Sequence, residues 1–240
     1  MPPFPANAAF FIDFDGTLVA IAERPDLVVV EPEVLALLEG LTRRFDGAVA
    51  VITGRSLDTI DGFLSPLKLP VAAEHGLMRR DGAGVVHGDP KAADAVALVA
   101  AKLEPLVSSH EGLLLERKIG SVALHYRGRP ELGGLCAEAV AEAVKGAPEL
   151  SILPGKMVFE IRPDGVTKGT AVKAFLAEEP FRGRLPVCAG DDVTDEFAFA
   201  AVNEAGGISI KIGEGDTVAD HRTDREGFLA WCKTVLDQAL

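Results

Sequence analysis

Apolar runs of strand type and amphipathic repeats of helical type alternate along most of this chain. The strand-like runs fall near residues 9–14, 48–53, 70–74, 186–190 and 207–212, and the helical patterns near 32–45, 56–64, 168–178, 195–204 and 225–239. Strands separated by helical segments must return by crossovers, so the alternation predicts an α/β fold with a parallel, doubly wound sheet. The stretch 80–162 has a different texture. A hairpin-like region opens at Arg79-Arg80-Asp81-Gly82, followed by an Ala-rich helix near 90–107 and strands near 113–118 and 121–127. A second Ala-rich helix near 131–145 precedes strands near 150–154 and 157–162. Consecutive strands joined by Gly-containing turns predict an antiparallel sheet with helices on one face. The expected organisation is a core domain built from 1–79 and 163–240 with a smaller domain, 80–162, inserted in it.

Within the insert, the period of two assigns faces. Along 156–162, Met157, Phe159 and Ile161 fall on one side, and Lys156, Val158, Glu160 and Arg162 on the other. Along 121–127, Val122, Leu124 and Tyr126 are expected to face the helices, with Ser121, Ala123, His125 and Arg127 opposite. Glu116 and Lys118 share one side of their strand. Antiparallel sheets often have one solvated polar face. A mixture of Lys, Glu, His and Arg also suits a ligand with many hydroxyls, each of which both donates and accepts.

Chemistry concentrates where apolar strands end. The run Phe10-Phe11-Ile12-Asp13-Phe14-Asp15-Gly16-Thr17-Leu18 closes on two carboxylates, Asp13 and Asp15. Asp before Gly is ordinary turn chemistry, but a buried-type strand carries two acids at its end only where a metal or a reacting group compensates them. The run 49–55 ends in Thr53-Gly54-Arg55, a hydroxyl and backbone amides able to hold a phosphate oxygen, although Thr53 could merely end a strand. Lys168 opens a helical segment, and Pro186-Val187-Cys188-Ala189-Gly190 leads into Asp191, Asp192, Asp195 and Glu196. Acids at a helix start also compensate its dipole; two adjacent acids at the end of an apolar strand need a further reason.

Composition narrows the partners. A hydrophobic fraction of 48% over 240 residues supports a sizeable core, and the net charge of −12 disfavours nucleic acid and anionic membrane as partners. Cys136, Cys188 and Cys232 match no zinc spacing or disulfide framework, which implies a reducing compartment. Residues 1–9 lack the features of a signal peptide, and no stretch is long and apolar enough to span a bilayer. The expectation is a cytoplasmic protein acting on a small molecule, a monomer with a weak dimer as the alternative. His87, His110 and His221 receive no role.

The D-x-D-G-T string at Asp13, followed in order by Thr53-Gly54-Arg55, Lys168 and Gly190-Asp191-Asp192, resembles the haloacid dehalogenase superfamily of aspartate-based phosphatases. More narrowly, the chain is similar to the trehalose-6-phosphate phosphatase family. The strings that carry this are Glu74-His75-Gly76, Glu116-Arg117-Lys118 with Ser121, His125-Tyr126-Arg127, residues 155–163 and residues 190–196, and together they cover nearly the whole chain. Val166-Thr167 stands before Lys168 where many relatives carry an aromatic. The resemblance implies a Rossmann-like haloacid dehalogenase core with an α/β cap, and hydrolysis of a phosphorylated disaccharide. It implies Asp13 as nucleophile, Asp15 as general acid and base, and Lys168 and Thr53 on the phosphoryl oxygens. It also implies Mg²⁺ at Asp13, the carbonyl of Asp15 and Asp191, with Asp192 and Asp195 as partners through water. Substrate contacts would come from Gly54, Arg55, Glu74, His75, Gly76, Glu116, Lys118, His125, Arg127, Lys156 and Glu160. Two alternatives remain at this level: a capped phosphatase for sucrose phosphate or a mannosyl phosphoester, and a noncatalytic regulatory module. Intact Asp13, Asp15, Lys168 and Asp191 argue against the second.

Overall fold

Phe10 and Phe11 are neighbours on the first strand, β1 (Ala8–Asp13), so their side chains leave opposite faces of the sheet. In the computed structural model, which describes residues 1–22, 24, 27–88, 90–118 and 120–236, each enters its own aromatic cluster. Phe10 packs on Phe4 and Phe45 with centroids 5.4 and 5.0 Å away, and Phe4 lies 4.2 Å from Trp231. Phe11 packs on Phe181 at 5.5 Å and Phe175 at 6.0 Å. A strand covered on both sides is the mark of a doubly wound sheet, and every residue of β1 is buried.

The chain runs from β1 through α1 (Pro32–Arg44), β2 (Val49–Ile52), α2 (Leu57–Leu64), β3 (Val71–Ala73), β4 (Met78–Arg80) and β5 (Val86–Gly88). The insert follows as α3 (Pro90–Ser109), β6 (Leu114–Lys118), β7 (Ser121–His125), α4 (Gly133–Ala143), β8 (Leu150–Gly155) and β9 (Val158–Pro163). It returns through α5 (Lys168–Leu176), β10 (Leu185–Gly190), α6 (Glu196–Glu204), β11 (Ile208–Ile212), β12 (His221–Thr223) and α7 (Arg225–Leu236). Two compact units result, one of residues 1–87 and 167–240, the other of residues 88–166.

In the first unit eight strands lie in the order β12-β11-β10-β1-β2-β3-β4-β5. From β12 to β3 all neighbours are parallel, and β4 turns back antiparallel to β3. The order reverses at β1: β2 and β3 lie to one side and β10 to β12 to the other. Ligands of open α/β sheets bind at such a switch point, outside the carboxyl ends of the strands. Asp13, paired with Ile52, ends β1 there, and Gly190 ends β10 beside it.

The core unit extends further than the hydrophobic pattern predicts. The insert was expected from residue 80, yet the β4–β5 hairpin joins the core sheet and the second compact unit begins at Gly88 and runs to Val166. Strand β4 reads Met-Arg-Arg, which no apolar count flags. Arg80 is nonetheless buried, because its guanidinium donates to the Leu69 carbonyl and to both oxygens of Asp61. That bidentate pair holds the Asp61 carboxyl below the ordinary range. Likewise β12 has no apolar residue, and the final helix, expected to 239, is described to Leu236.

The second unit is a four-stranded antiparallel sheet, β6-β7-β9-β8, with α3 and α4 packed on it. Val122, Leu124 and Ile161 fill its core with Leu103, Cys136 and Val140 from the helices. On the other face Glu116, Ala123 and Glu160 stand in line across three strands. Two expected members of that face are elsewhere. Lys156 and Met157 form the turn between β8 and β9, since Gly155 pairs with Val158 and Met157 has φ +61°. Arg127 lies in the turn after β7, which ends at His125. The side chain of Lys118 lies outside the described residues.

The aromatic layers make a direct prediction. Phe11→Ala removes a fully buried ring between Phe175 and Phe181, which should cost about 3–5 kcal/mol of stability. Urea unfolding followed by the fluorescence of Trp231, the one tryptophan of the chain, should show the loss as a lower midpoint.

Candidate active site

Thr167 begins α5 with a reciprocal cap: its hydroxyl accepts from the Thr170 amide at 3.1 Å, and the Thr170 hydroxyl accepts from the Thr167 amide at 3.0 Å. This cap fixes Lys168 in the first turn. Its ammonium, almost wholly buried, donates to Asp13 Oδ1 and to Asp195 Oδ1, both at 2.7 Å. Burial works against the charge on Lys168, but the two carboxylates outweigh it and the ammonium is held charged well above its usual range. Burial pushes the Asp13 carboxyl up, Lys168 opposes that, and Asp195 and Asp191 add to it. Asp191, half-buried, is also raised by burial and by its acidic neighbours Asp195 and Asp192.

Asp13, Asp191 and Asp195 offer carboxylate oxygens within 4.8 Å of one another. Against one ammonium, three carboxylates leave a formal charge of −2, and Asp13 Oδ2 is buried without a hydrogen-bond partner. An orphaned buried carboxylate oxygen beside two more acids fits a hard divalent cation, which takes oxygen ligands. Gly16 leaves room for the cluster. Its φ of +81° suits glycine, and a Cβ there would lie 2.1 Å from Asp191 Oδ2.

Asp15 is engaged differently. Arg55 grips it with two bonds of 2.7 Å, from Nε to Oδ2 and from a terminal nitrogen to Oδ1. The guanidinium carbon sits 5.7 Å from the Phe14 ring and 5.1 Å from the Phe63 ring, which hold it flat to the carboxylate. Thr53 to Arg55 are in turn tied to the loop after β3. The His75 amide donates to the Thr53 carbonyl at 2.9 Å, and the Glu74 amide to the Arg55 carbonyl at 3.1 Å. Glu74 and His75 adopt φ of +53° and +59° to do so. A Cβ on Gly54 would fall 2.8 Å from the His75 ring, so a larger residue there would displace that ring.

One cavity collects Asp13, Asp15, Gly54, His75, Lys168, Asp191 and Asp192, together with Ile21 and Thr194. Arg55 borders an adjoining one with Asp15, Ile21 and Val28. Two expected roles are revised. Thr53 does not line the cavity: its side chain is fully buried and its hydroxyl accepts from the Arg55 amide at 3.1 Å. Asp192 lies outside the acid cluster, because its carboxylate accepts from the Val193 amide and caps the turn that starts α6. Asp195, expected as a more distant partner, holds Lys168 and stands within the cluster. Glu74 is buried at the loop, and Gly76, with φ +110°, closes that turn. In the second unit Glu116 Oε2 lies 2.8 Å from His125 Nε2, and Glu160 accepts from the Ser121 hydroxyl at 2.8 Å. Lys211 and Glu196, which back the acid loop, were not anticipated. A lysine inside the apolar strand Ile208-Ser209-Ile210-Lys211-Ile212 was the signal.

The family model described as trehalose-phosphatase matches residues 11–230. The chain belongs to the trehalose-phosphatase family. A protein named probable trehalose-phosphate phosphatase from Sinorhizobium fredii is 46% identical over 211 residues, spanning 86% of this chain and 78% of its own. The trehalose-6-phosphate phosphatase of Escherichia coli is 41% identical over 222 residues, 92% of this chain and 83% of its own. The fold agrees as well. A crystal structure of Aspergillus fumigatus trehalose-6-phosphate phosphatase superposes with a TM-score of 0.78 at 24% identity, covering 98% of this chain and 94% of that one. The chain also shares its fold with a haloacid dehalogenase-like hydrolase from B. subtilis, with a TM-score of 0.62 at 16% identity, covering 94% of this chain and 99% of that one.

Burial raises the Glu74 carboxyl, which sets a pH dependence for the loop that carries His75. A carboxyl raised in the folded state favours folding most when protonated, below the unfolded value of about 4.3, and loses that contribution as pH rises through the folded value. Glu74→Gln should therefore stabilise the protein at neutral pH and be indifferent near pH 4. Urea midpoints of both forms at the two pH values check the sign.

Proposed function

We propose that the protein is a phosphoric monoester hydrolase that converts trehalose 6-phosphate to trehalose and inorganic phosphate in trehalose biosynthesis, acting in the cytoplasm on this small molecule. The observation that carries the chemistry is the buried Asp13, with Lys168 on one oxygen and the other without a partner. The relatives of 41–46% identity carry the choice of substrate.

In this reading Asp13 attacks phosphorus, an aspartyl-phosphate forms, and the bond to the sugar oxygen breaks. Asp15 gives that oxygen a proton, then takes one from the water that attacks the aspartyl-phosphate, releasing phosphate and restoring Asp13. Arg55 grips the Asp15 carboxylate through its two bonds, and its turning to a phosphoryl oxygen would free an Asp15 oxygen to carry the proton that the first step gives away. Lys168 offsets charge on Asp13 and on the phosphoryl group. Mg²⁺, held by Asp13, the Asp15 carbonyl and Asp191, would supply the positive charge that lets a dianionic phosphate approach these acids. Asp195 keeps Lys168 in place. Sugar hydroxyls are read by the polar face of the inserted unit, with Glu116, His125 and Glu160 as its fixed members and Lys156 and Arg127 at its margins; Lys118 is proposed from the sequence alone.

Phosphate release from trehalose 6-phosphate, sucrose phosphate, a mannosyl phosphoester and an aryl phosphate tests the assignment. Trehalose 6-phosphate should be the best substrate by kcat/KM, with activity lost in chelator and restored by Mg²⁺; preference for another sugar phosphate would reassign the substrate. Asp13→Asn should abolish turnover with the fold retained. Asp15→Asn should lower kcat by roughly 10²–10⁴-fold, the loss being greater for alkyl than for aryl leaving groups.

Glu160 tests the role of the insert separately. Binding energy from remote substrate groups can be used to align the reacting centre, so losing it lowers turnover as well as affinity. Glu160→Ala should depress kcat/KM for trehalose 6-phosphate while hydrolysis of a small aryl phosphate changes little. Parallel loss on both substrates would point to the fold of the insert instead.

A further inference from the structure

Among the described residues two lysines are buried, Lys168 and Lys211, and the chemistry above uses only the first. Lys211 stands on β11 opposite Gly190, the last residue of β10. Its ammonium donates to the backbone carbonyl of Asp191 at 2.5 Å and lies 3.9 Å from Glu196 Oε1. The other oxygen of Glu196 accepts from the Val218 amide at 2.8 Å and the Thr217 hydroxyl at 3.2 Å. Segment 191–196 is thus fastened on two sides. Lys168 holds Asp195 from within the site, and Lys211 holds the Asp191 peptide from behind it.

A buried ammonium is a costly way to fill an apolar strand. Replacing a buried ion pair by apolar residues of similar volume is often neutral or stabilising, so the sheet by itself does not call for a charge at position 211. The cost needs a return, and among the described residues the backbone group that Lys211 bonds belongs to the residue whose carboxylate faces Gly16 and Asp13. Fixing the Asp191 carbonyl fixes the rotation of that peptide and so the direction in which its side chain leaves. Glu196 balances the charge, so the positive group adds little repulsion to a cation bound in front of the loop.

We infer that Lys211 is a positioning residue for the cation site, setting the Asp191 carboxylate through its backbone. The inference rests on the reading of the acid cluster as the site of a divalent cation. Groups that orient ligands from behind typically alter metal affinity or activity by 10–100-fold.

The experiment is isothermal titration calorimetry of Mg²⁺ into chelator-stripped full-length protein, wild type and Lys211→Met, without substrate. The dissociation constant should rise about tenfold or more in Lys211→Met. Its kcat should fall at low Mg²⁺ and recover as Mg²⁺ is raised, and KM for trehalose 6-phosphate at saturating Mg²⁺ should stay within about twofold of wild type. Equal or tighter Mg²⁺ binding, or a loss of kcat that Mg²⁺ does not restore, would overturn the inference. Should Lys211→Met fail to fold, Glu196→Gln serves: it loosens the ammonium and leaves its charge unbalanced, so Mg²⁺ binding should weaken, and an unchanged constant would be equally fatal. The calorimetric arm contains no sugar phosphate. Failure of wild type to hydrolyse trehalose 6-phosphate would therefore overturn the proposed substrate while leaving the metal result to stand.

Discussion

The rest of the site depends on one buried ammonium. Lys168 stands between Asp13, at the end of β1, and Asp195, in the turn after β10 and 182 positions away in the sequence, and among the described residues it is the one cation bonded to both. Removing such a partner leaves uncompensated buried charge, a loss of roughly 3–5 kcal/mol in comparable pairs. The parts are therefore interdependent: Lys168 is held between two acids, and Asp195 is placed by Lys168 together with the Asp192 amide, which donates to its other oxygen at 3.0 Å. Even so the balance is incomplete. The remaining negative charge, together with an unpartnered oxygen on Asp13, is what makes the cluster receptive to a cation and then to a phosphate.

Backbone strain is also placed beside the site. Glu74 and His75 are consecutive non-glycine residues in the left-handed region, a conformation costing on the order of 1–3 kcal/mol per residue. Their amides recover part of it by donating to the carbonyls of Arg55 and Thr53. The consequence is mechanical: the loop after β3 and the turn after β2 become one piece, with the His75 ring laid over Gly54. Arg55, fixed by the same piece and flanked by Phe14 and Phe63, then sets the Asp15 carboxylate.

Legibility in the sequence followed burial. Strands β1, β2 and β10 are covered on both faces, so they appear as continuous apolar runs, and the acids that break their ends stand out against them. Strands β4 and β12 carry Arg and His and are held by side-chain and edge bonds, so apolar periodicity cannot find them. Alternation also overreached in the insert. A period of two continues through Lys156 and Met157 as text, but a hairpin needs a turn, and only the left-handed φ of Met157 reveals where it falls. Asp192 and Asp195 could not be told apart from spacing alone. One caps a helix and the other binds a lysine, and that choice is made by the direction of a short turn.

The two lysines that fasten the acid loop show how a charged residue can be required where stability alone would reject it. Lys168 bonds Asp13 directly and lines the cavity, whereas Lys211 bonds the Asp191 carbonyl and lies beside Glu196. A hydrophobic residue at position 211 would satisfy the sheet but leave the Asp191 carbonyl with no ammonium to bond. The peptide could then rotate, and rotation about that peptide swings the carboxylate by the length of its side chain. A carboxylate that, in the proposed site, must sit within about 2.1 Å of Mg²⁺ tolerates little of such motion. Rigidity of the loop is thus part of the chemistry, and it is obtained from charges that the catalytic reaction itself never consumes.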